Sequence, residues 1–342
     1  MIWSMLLGCS MDADRLVAFQ VQSDGSYTVE PRAIESLKDP LRMKGELGEM
    51  RAGGVLALRG GEMEYRGGRQ IEVLAVVEDG VAEPVDLDGL ILYSFYGHLQ
   101  DTRDALERVG VPIAPLFPVS MAVTPAVPDI GLALLPVENA AYAPSANTFI
   151  LLSDLSEKQV PLAANAGVVA HETGHGVFHL LSTGDPHAAK LFPPEHPGAQ
   201  GISSLDEGFS DMLGGLVTGD PRFIVPSLNL PSRDLESGIT AEQVSSRPEL
   251  ETTSYDPYAL GSVFAATAWD IRLETDDVDG TLALVCDAVK SWAEAEADAD
   301  DAEVAYRYLD QLVALGDAEQ RQAACAAIEL RFAGVYSVEE CP

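Results

Sequence analysis

Residues 171–175 read HETGH, which combines two histidines and a glutamate at a spacing that can bind a metal ion. Side chains four positions apart share one face of a helix, so His171 and His175 can present imidazole nitrogens to one metal ion. Glu172 lies one step round the helix and can take a proton from a water bound to the same ion. The spacing therefore predicts a zinc site with a general base beside it.

An H-E-x-x-H string also occurs by chance in surface helices, so its surroundings matter. Residues 163–181 are rich in Ala, Val and Leu, which predicts a buried helix around both histidines. A buried imidazole needs a partner, and two on one face favour a metal. Gly174 and Gly176 each cost about 1 kcal/mol relative to Ala inside a helix. We therefore expect another element to pack closely against the backbone there.

A zinc site needs at least three protein ligands, and residues 204–215 (SLDEGFSDMLGG) offer the third. Glu207 and Asp211 are four positions apart on an otherwise apolar helix, where unpaired carboxylates are unfavourable. We predict that Glu207 binds the metal and that Asp211 accepts the spare N–H of a ligand histidine. His179 competes as third ligand, but each four-residue step rotates by about 40°, which carries it well round from His171.

These two segments together resemble the thermolysin and fungalysin group of zinc metallopeptidases, the gluzincins whose third ligand is a glutamate. The resemblance rests on residues 168–175 (VVAHETGH) and 206–211 (DEGFSD). It implies three zinc ligands, a catalytic base and a carboxylate that supports a histidine, which are His171, His175, Glu207, Glu172 and Asp211 in that order.

Weaker matches extend the resemblance to the substrate. Residues 139–142 (NAAY) resemble the family's substrate-side edge strand, which implies that Asn139 and Ala140 meet the substrate backbone. By chain order, Arg233 could match the arginine that holds a substrate carbonyl; an exposed loop arginine is the alternative. Residues 258–270 (YALGSVFAATAWD) resemble a later helix of the family, which usually follows a histidine that stabilises the oxyanion.

The sequence departs from the family at that histidine. No histidine follows His196, and Tyr258 stands roughly in the donor's place. A phenol can donate a hydrogen bond to an oxyanion, as can His187 or His196 if their loop folds back. We therefore expect metal-assisted peptide hydrolysis by an endopeptidase, with Glu172 as base and Tyr258 as donor.

Two other functions stay open. A catalytically weak zinc-binding surface protein, with a structural or binding role, is supported by the missing histidine. Glu172 argues against it, because a purely structural zinc site has no use for a base and closes its fourth position with protein. An aminopeptidase would need an acidic residue set to hold a free substrate amine, and the sequence has no motif for one.

The resemblance also implies an α+β, two-lobed fold. A β-containing N-terminal lobe and a helical C-terminal lobe would flank the active-site helix, preceded here by a small β-rich domain. The pattern predicts strands at 55–58 and 71–77, a helix at 95–109 and an amphipathic helical stretch at 302–332. The predicted units are a truncated lipoprotein signal at 1–9, the β-rich domain at 10–92, the N-terminal catalytic lobe with the zinc helix at 93–182, and the mainly helical C-terminal lobe at 183–342.

Composition narrows the partners. The chain has 342 residues, 47% of them hydrophobic, and 21 basic against 54 acidic residues give a net charge of −33. This charge disfavours nucleic acid and anionic membranes as partners. We expect a monomer, and the family resemblance implies peptide or protein substrates. A large negative charge also favours the binding of divalent cations. The loops at 185–203 and 220–257 could hold calcium, although no ligand is identified.

The N-terminus favours export. Residues 6–9 (LLGC) resemble a bacterial lipobox, whose cysteine, here Cys9, would carry a lipid anchor. The preceding stretch is short and lacks Lys and Arg, which a secretory signal would contain. We expect an extracytoplasmic protein, secreted or lipid-anchored. The remaining cysteines, Cys286, Cys325 and Cys341, allow one disulfide and one free thiol, with the pairing open.

Overall fold

A computed structural model describes residues 13–341 except 23, 60–61, 127–138, 153–159, 189–194, 229, 246–255 and 298. Sheets occupy the N-terminal part of the described chain and helices the C-terminal part, which confirms the α+β prediction. The predicted signal at residues 1–9, with Cys9, lies outside the described residues.

The strands of the described chain form three sheets. They are β1 Arg15–Val21, β2 Tyr27–Arg32, β3 Gly48–Ala52, β4 Val55–Arg59, β5 Glu62–Arg66, β6 Arg69–Gln70, β7 Ala75–Glu78, β8 Val81–Pro84, β9 Val119–Val123, β10 Asn139–Ala143 and β11 Thr148–Leu152. One sheet has the order β2-β1-β8-β7, the second has the order β10-β11-β9-β3-β6, and β4 pairs with β5 in the third.

The five-stranded sheet carries one side of the candidate site at its edge strand, β10. Its central strands β3 and β9 are parallel, with Met50 opposite Met121. Both methionines are buried in the main core. Strand β3 lies within residues 10–92, so this part of the chain shares a sheet with the catalytic lobe, and the separate β-rich domain stays a prediction.

The helices are α1 Leu87–Arg108, α2 Ala166–Thr183, α3 Ala199–Thr218, α4 Ala241–Ser245, α5 Pro257–Thr275, α6 Val278–Ala295, α7 Tyr308–Leu315 and α8 Ala318–Phe332. Helix α3 lies between α2 and α5, and α5 packs on α8. Buried aromatic side chains, among them Phe178 and Trp292, fill the space between α2 and α6. None of the helices in the described ranges has the length and apolar character needed to cross a membrane.

Two predicted elements in the N-terminal half differ from the structure. Helix α1 starts at Leu87, eight residues before the predicted start at 95, because Asp86 caps it by accepting a hydrogen bond from Gly89 N. The strand predicted at 71–77 is restricted to β7. The side chains of Ile71 and Val73 are buried in the core, but neither residue pairs with a strand among the described residues. Their alternating pattern therefore reflects burial rather than membership of a sheet.

The C-terminal stretch at 302–332 forms two helices with a break at Gly316. Asp317 starts α8 with a capping box that includes Gln320, which explains the break. A disulfide joins Cys325 of α8 to Cys341, and Cys286 is a buried free thiol.

Candidate metal centre and active site

Helix α2 carries two of the three predicted metal ligands, His171 and His175, together with the predicted base Glu172. It begins after Asn165, whose side-chain oxygen accepts hydrogen bonds from backbone N–H groups of the first turn. Ligand atoms of His171, Glu172 and His175 lie within 4.8 Å of one another. No other group of this kind occurs within the described residues, so the predicted calcium sites stay predictions.

Glycines allow a second helix to approach this group. A side chain at Gly174 would place its Cβ 2.7 Å from the Cα of Ser210 in α3, and one at Gly176 would meet Leu116 and Tyr142. Overpacking of this kind typically costs about 1–3 kcal/mol. The close packing expected at both glycines is therefore present, and it brings Glu207, three residues before Ser210, to the histidines.

Glu207 faces both histidines from α3. Its Oε2 lies 3.6 Å from His171 Nε2 and 3.9 Å from His175 Nε2. This oxygen is buried and has no hydrogen-bond partner in the described structure, and burial raises the pKa of Glu207. A buried carboxylate oxygen without a donor is unfavourable unless a cation completes it. The two imidazoles and one carboxylate are a donor set that suits zinc.

Asp211 contacts Nδ1 of His171, whereas Nε2 of the same ring faces Glu207. His171 Nδ1 lies 2.8 Å from Asp211 Oδ1, and Asp211 is 1% exposed. Because a carboxylate only accepts, Nδ1 carries the proton and Nε2 keeps its lone pair for the side that faces Glu207. Burial would raise the pKa of Asp211, but the Arg233 charge and the His171 hydrogen bond lower it to about 2.

Arg233 is a buried residue of the site rather than an exposed loop arginine. It donates to both oxygens of Asp211, with Nε at 3.1 Å from Oδ2, and lies 3.2 Å from His171 Nδ1. Its guanidinium covers the ring of Tyr258 at 4.8 Å. Arg233 therefore contacts both Asp211, which orients His171, and Tyr258, which lines the cleft.

Glu172 points into the cleft beside the histidines. Its Oε2 accepts a hydrogen bond from the backbone N–H of Tyr142 in β10 at 2.8 Å. Burial raises the pKa of Glu172 to about 7, although the His175 charge and this hydrogen bond lower it in part. A carboxyl group that titrates near neutral pH suits proton transfer in both directions.

Asp206 holds His175 and is the site residue to which the sequence reasoning assigned no role. Its Oδ1 lies 2.9 Å from His175 Nδ1, and Ser210 Oγ lies 3.2 Å from the same nitrogen. Burial lowers the pKa of His175, but the charges of Asp206 and Glu207 outweigh it and raise it to about 10. The available signal was a second acid directly before Glu207.

We expect Asp206→Ala to weaken zinc binding by roughly 10–100-fold, as loss of a partner behind a ligand histidine commonly does. Asp206→Asn should bind nearly as tightly as the native protein, because an amide oxygen still accepts from Nδ1–H. Competition with a chelator of known affinity measures both. Equal zinc affinity in native protein and the alanine variant would contradict the assignment.

The metal group opens on a cleft of about 260 Å³. One wall is apolar and comes from four segments, with its side chains in one buried cluster. Its members at the cleft are Ala140, Leu162, Val168, Phe223, Ile224 and Leu228. The lining also includes polar side chains, which are those of His171, Glu172, His175, Glu207, Arg233 and Tyr258, so the cleft combines an apolar surface with a few polar groups.

Two further predicted site residues, Tyr258 and Ala140, line this cleft. Tyr258 lines it from the start of α5 and is 41% exposed. Burial raises the pKa of Tyr258, which keeps the phenol protonated and able to donate. Ala140 lines the cleft from β10. Asn139 is the first residue of β10, but its side chain lies outside the described part of the chain.

The remaining histidines of this region lie elsewhere. His179 Nε2 is 3.9 Å from Asp206 Oδ2 and does not belong to the metal group. His196 Nε2 lies 2.8 Å from the carbonyl oxygen of Ala299. Neither His187 nor His196 is among the described residues that line the cleft, whereas Tyr258 is.

Comparison with known proteins supports the architecture. No protein-family model matches the sequence, and no curated protein matches it. A similar solved structure is the precursor of protealysin, a metalloproteinase from Serratia proteamaculans. Its TM-score is 0.52 at 13% identity, over 84% of this chain and 88% of that chain. The fold is thermolysin-like. At this identity the likeness concerns the fold, and the finer resemblance to fungalysins stays a prediction.

Proposed function

We propose that the chain is a zinc-dependent endopeptidase that hydrolyses peptide bonds in peptide or protein substrates. The observation that carries the proposal is Glu207 Oε2, a buried oxygen with no hydrogen-bond partner among the described residues, which faces Nε2 of His171 and of His175. The thermolysin-like fold, shared with a metalloproteinase precursor, supports it.

His171, His175 and Glu207 would hold the metal. When bound, zinc supplies a Lewis acid that polarises the scissile carbonyl and acidifies water. Asp211 and Asp206 hold the two imidazoles by their Nδ1 atoms, so both Nε2 atoms point toward Glu207. These residues therefore set the direction of the ligands before the metal arrives.

Glu172 would move the proton. Its Oε2 accepts a hydrogen bond from Tyr142 N–H, which orients the carboxylate, and this carboxylate would take a proton from the attacking water. The same carboxyl group then passes the proton to the leaving amine.

Tyr258 would donate its phenolic O–H to the oxyanion that forms at the scissile carbonyl. Its ring is held by the Arg233 guanidinium, which is itself fixed by Asp211. A donor held in place before the reaction stabilises developing charge without reorganisation.

We expect Tyr258→Phe to lower kcat by roughly 10²–10³-fold, the usual loss for one oxyanion donor, with KM and zinc content nearly unchanged. The phenylalanine keeps the ring under Arg233, so packing is retained. Steady-state hydrolysis of a fluorogenic peptide measures this. If the rate survives the change, Tyr258 has no catalytic role.

A catalytically weak zinc-binding protein is the alternative, and the absence of any histidine after His196 favours it. Casein hydrolysis by the zinc-loaded protein, before and after chelation, separates the two. The proposal expects hydrolysis that a chelator abolishes and added zinc restores. Bound zinc without hydrolysis under any condition would favour the alternative.

We also propose that the protein works outside the cytoplasm. The disulfide between Cys325 and Cys341 supports this, because disulfides persist mainly in oxidising compartments. A thiol titration of the denatured, unreduced protein in which Cys325 and Cys341 react as free thiols would count against it.

A further inference from the structure

A buried amide at the start of the zinc helix has more contacts than a helix cap needs. Asn165 is 0% exposed. Besides capping α2, its Oδ1 accepts a hydrogen bond from the hydroxyl of Tyr27 at 2.9 Å. That hydroxyl in turn accepts from Ala166 N at 2.8 Å. The oxygen of the amide thus fixes the start of α2 to the β1–β2 hairpin.

The nitrogen of the same amide holds a different segment. Asn165 Nδ2 donates to the carbonyl oxygen of Phe223 and to Ser227 Oγ, both at 3.0 Å. Ser227 Oγ donates onward to Val160 O at 2.7 Å. These bonds fasten residues 221–228, which we call the wall segment, to α2. A plain helix cap would not require them.

The wall segment forms the apolar side of the cleft. Phe223, Ile224 and Leu228 all line it. Phe223 also stacks on the ring of His171, with centroids 6.5 Å apart. A side chain at Gly167 would place its Cβ 2.6 Å from Phe223 Cβ, so the segment already lies as close to α2 as its backbone permits. The distance between the wall segment and the metal group therefore depends on the interactions that hold the segment against α2, among them the hydrogen bonds from Asn165.

We propose that Asn165 is a positioning residue that sets the width of the substrate cleft, and thereby the size of the apolar side chain that the cleft accepts. It acts through the wall segment and touches neither the metal group nor the space between the walls. The consequence for substrates rests on the proposed peptidase function. The two hydrogen bonds from Asn165 Nδ2 to the wall segment, which we call the clamp, do not depend on that function.

Asn165→Asp distinguishes the role of the amide oxygen, which accepts hydrogen bonds, from that of the amide nitrogen, which donates them. A carboxylate still accepts from the N–H groups of α2 and from Tyr27, and Asp is a good N-cap. It cannot donate to Phe223 O or Ser227 Oγ, so the cap stays and the clamp is lost. Ser227→Ala is a second variant, because it removes the bond from Asn165 Nδ2 to Ser227 Oγ, together with the onward bond to Val160 O, and leaves the bond to Phe223 O and the cap of α2 in place. Thr267→Val serves as control, since it removes a buried hydroxyl of α5 that bonds only within its helix.

Two measurements test the clamp. Hydrogen exchange should accelerate by at least about tenfold at the amides of the wall segment in Asn165→Asp, while the first turn of α2 stays protected. With two peptides that differ only in Ala or Phe beside the scissile bond, the ratio of kcat/KM should shift roughly tenfold through KM, with kcat nearly unchanged. Ser227→Ala should show smaller changes of the same kind.

Native-like exchange of the wall segment in both variants would overturn the proposal, as would the same changes in Thr267→Val, which would indicate general loosening. An unchanged peptide ratio despite faster exchange would refute the control of cleft width. If the native protein cleaves neither peptide, the peptidase function fails, and the exchange rates still decide whether Asn165 clamps the wall.

Discussion

Glu172→Gln is expected to lower kcat/KM for peptide hydrolysis by roughly 10²–10⁴-fold while zinc stays bound, which is the range for loss of a general base. The amide keeps the shape of the side chain and can still accept the hydrogen bond from Tyr142 N–H. It cannot take a proton from water. The three predicted ligands are untouched, so the metal content should equal that of the native protein.

Glu274→Gln is the matched control, because Glu274 is an exposed glutamate on α5 and lies outside the cleft lining. It should leave both zinc content and hydrolysis unchanged. Metal analysis and peptide hydrolysis on the same preparations measure both quantities. Native rates in Glu172→Gln would remove Glu172 from the mechanism.

Glu207→Ala is expected to abolish tight zinc binding and, with it, hydrolysis. It removes a ligand rather than an outer partner, so the loss of affinity should exceed the roughly 10–100-fold expected for Asp206→Ala. His171 and His175 would remain as a two-ligand site, which leaves a tetrahedral ion half covered. Excess zinc should restore at most a small part of the activity.

The control for this variant is Glu329→Ala, at an exposed helical glutamate of α8. Zinc affinity is measured by competition with a chelator, and folding by the far-ultraviolet circular dichroism of both variants. A folded Glu207→Ala protein that binds zinc as tightly as the native chain would show that the third ligand lies elsewhere.

The helical period explains which parts of the site could be predicted. His171, His175, Glu207 and Asp211 lie four apart in pairs on two helices, and such spacing fixes which side chains share a face. The glycines of α2 predicted a close neighbour, and Ser210 of α3 is that neighbour. The α+β class was implied by the resemblance to the thermolysin group, and the structure confirms it.

Features that depend on contacts between distant segments could not be predicted in this way. Asp206 is adjacent to Glu207, yet only the crossing of α2 and α3 shows that it meets His175. The bonds from Asn165 reach residues 58 and 62 positions further along the chain, and nothing local indicates them. By contrast, the break at Gly316 was open to prediction from local sequence, because Gly316 and the capping box from Asp317 to Gln320 mark a helix end and a helix start.

The central claim is that His171, His175 and Glu207 bind one zinc ion. Anomalous diffraction measured on both sides of the zinc absorption edge, on crystals of the zinc-loaded native protein, tests it most directly. The prediction is a single strong peak about 2.0–2.2 Å from both Nε2 atoms and from a carboxylate oxygen of Glu207. A peak bound by other residues, or none at this site in zinc-loaded crystals, would contradict it.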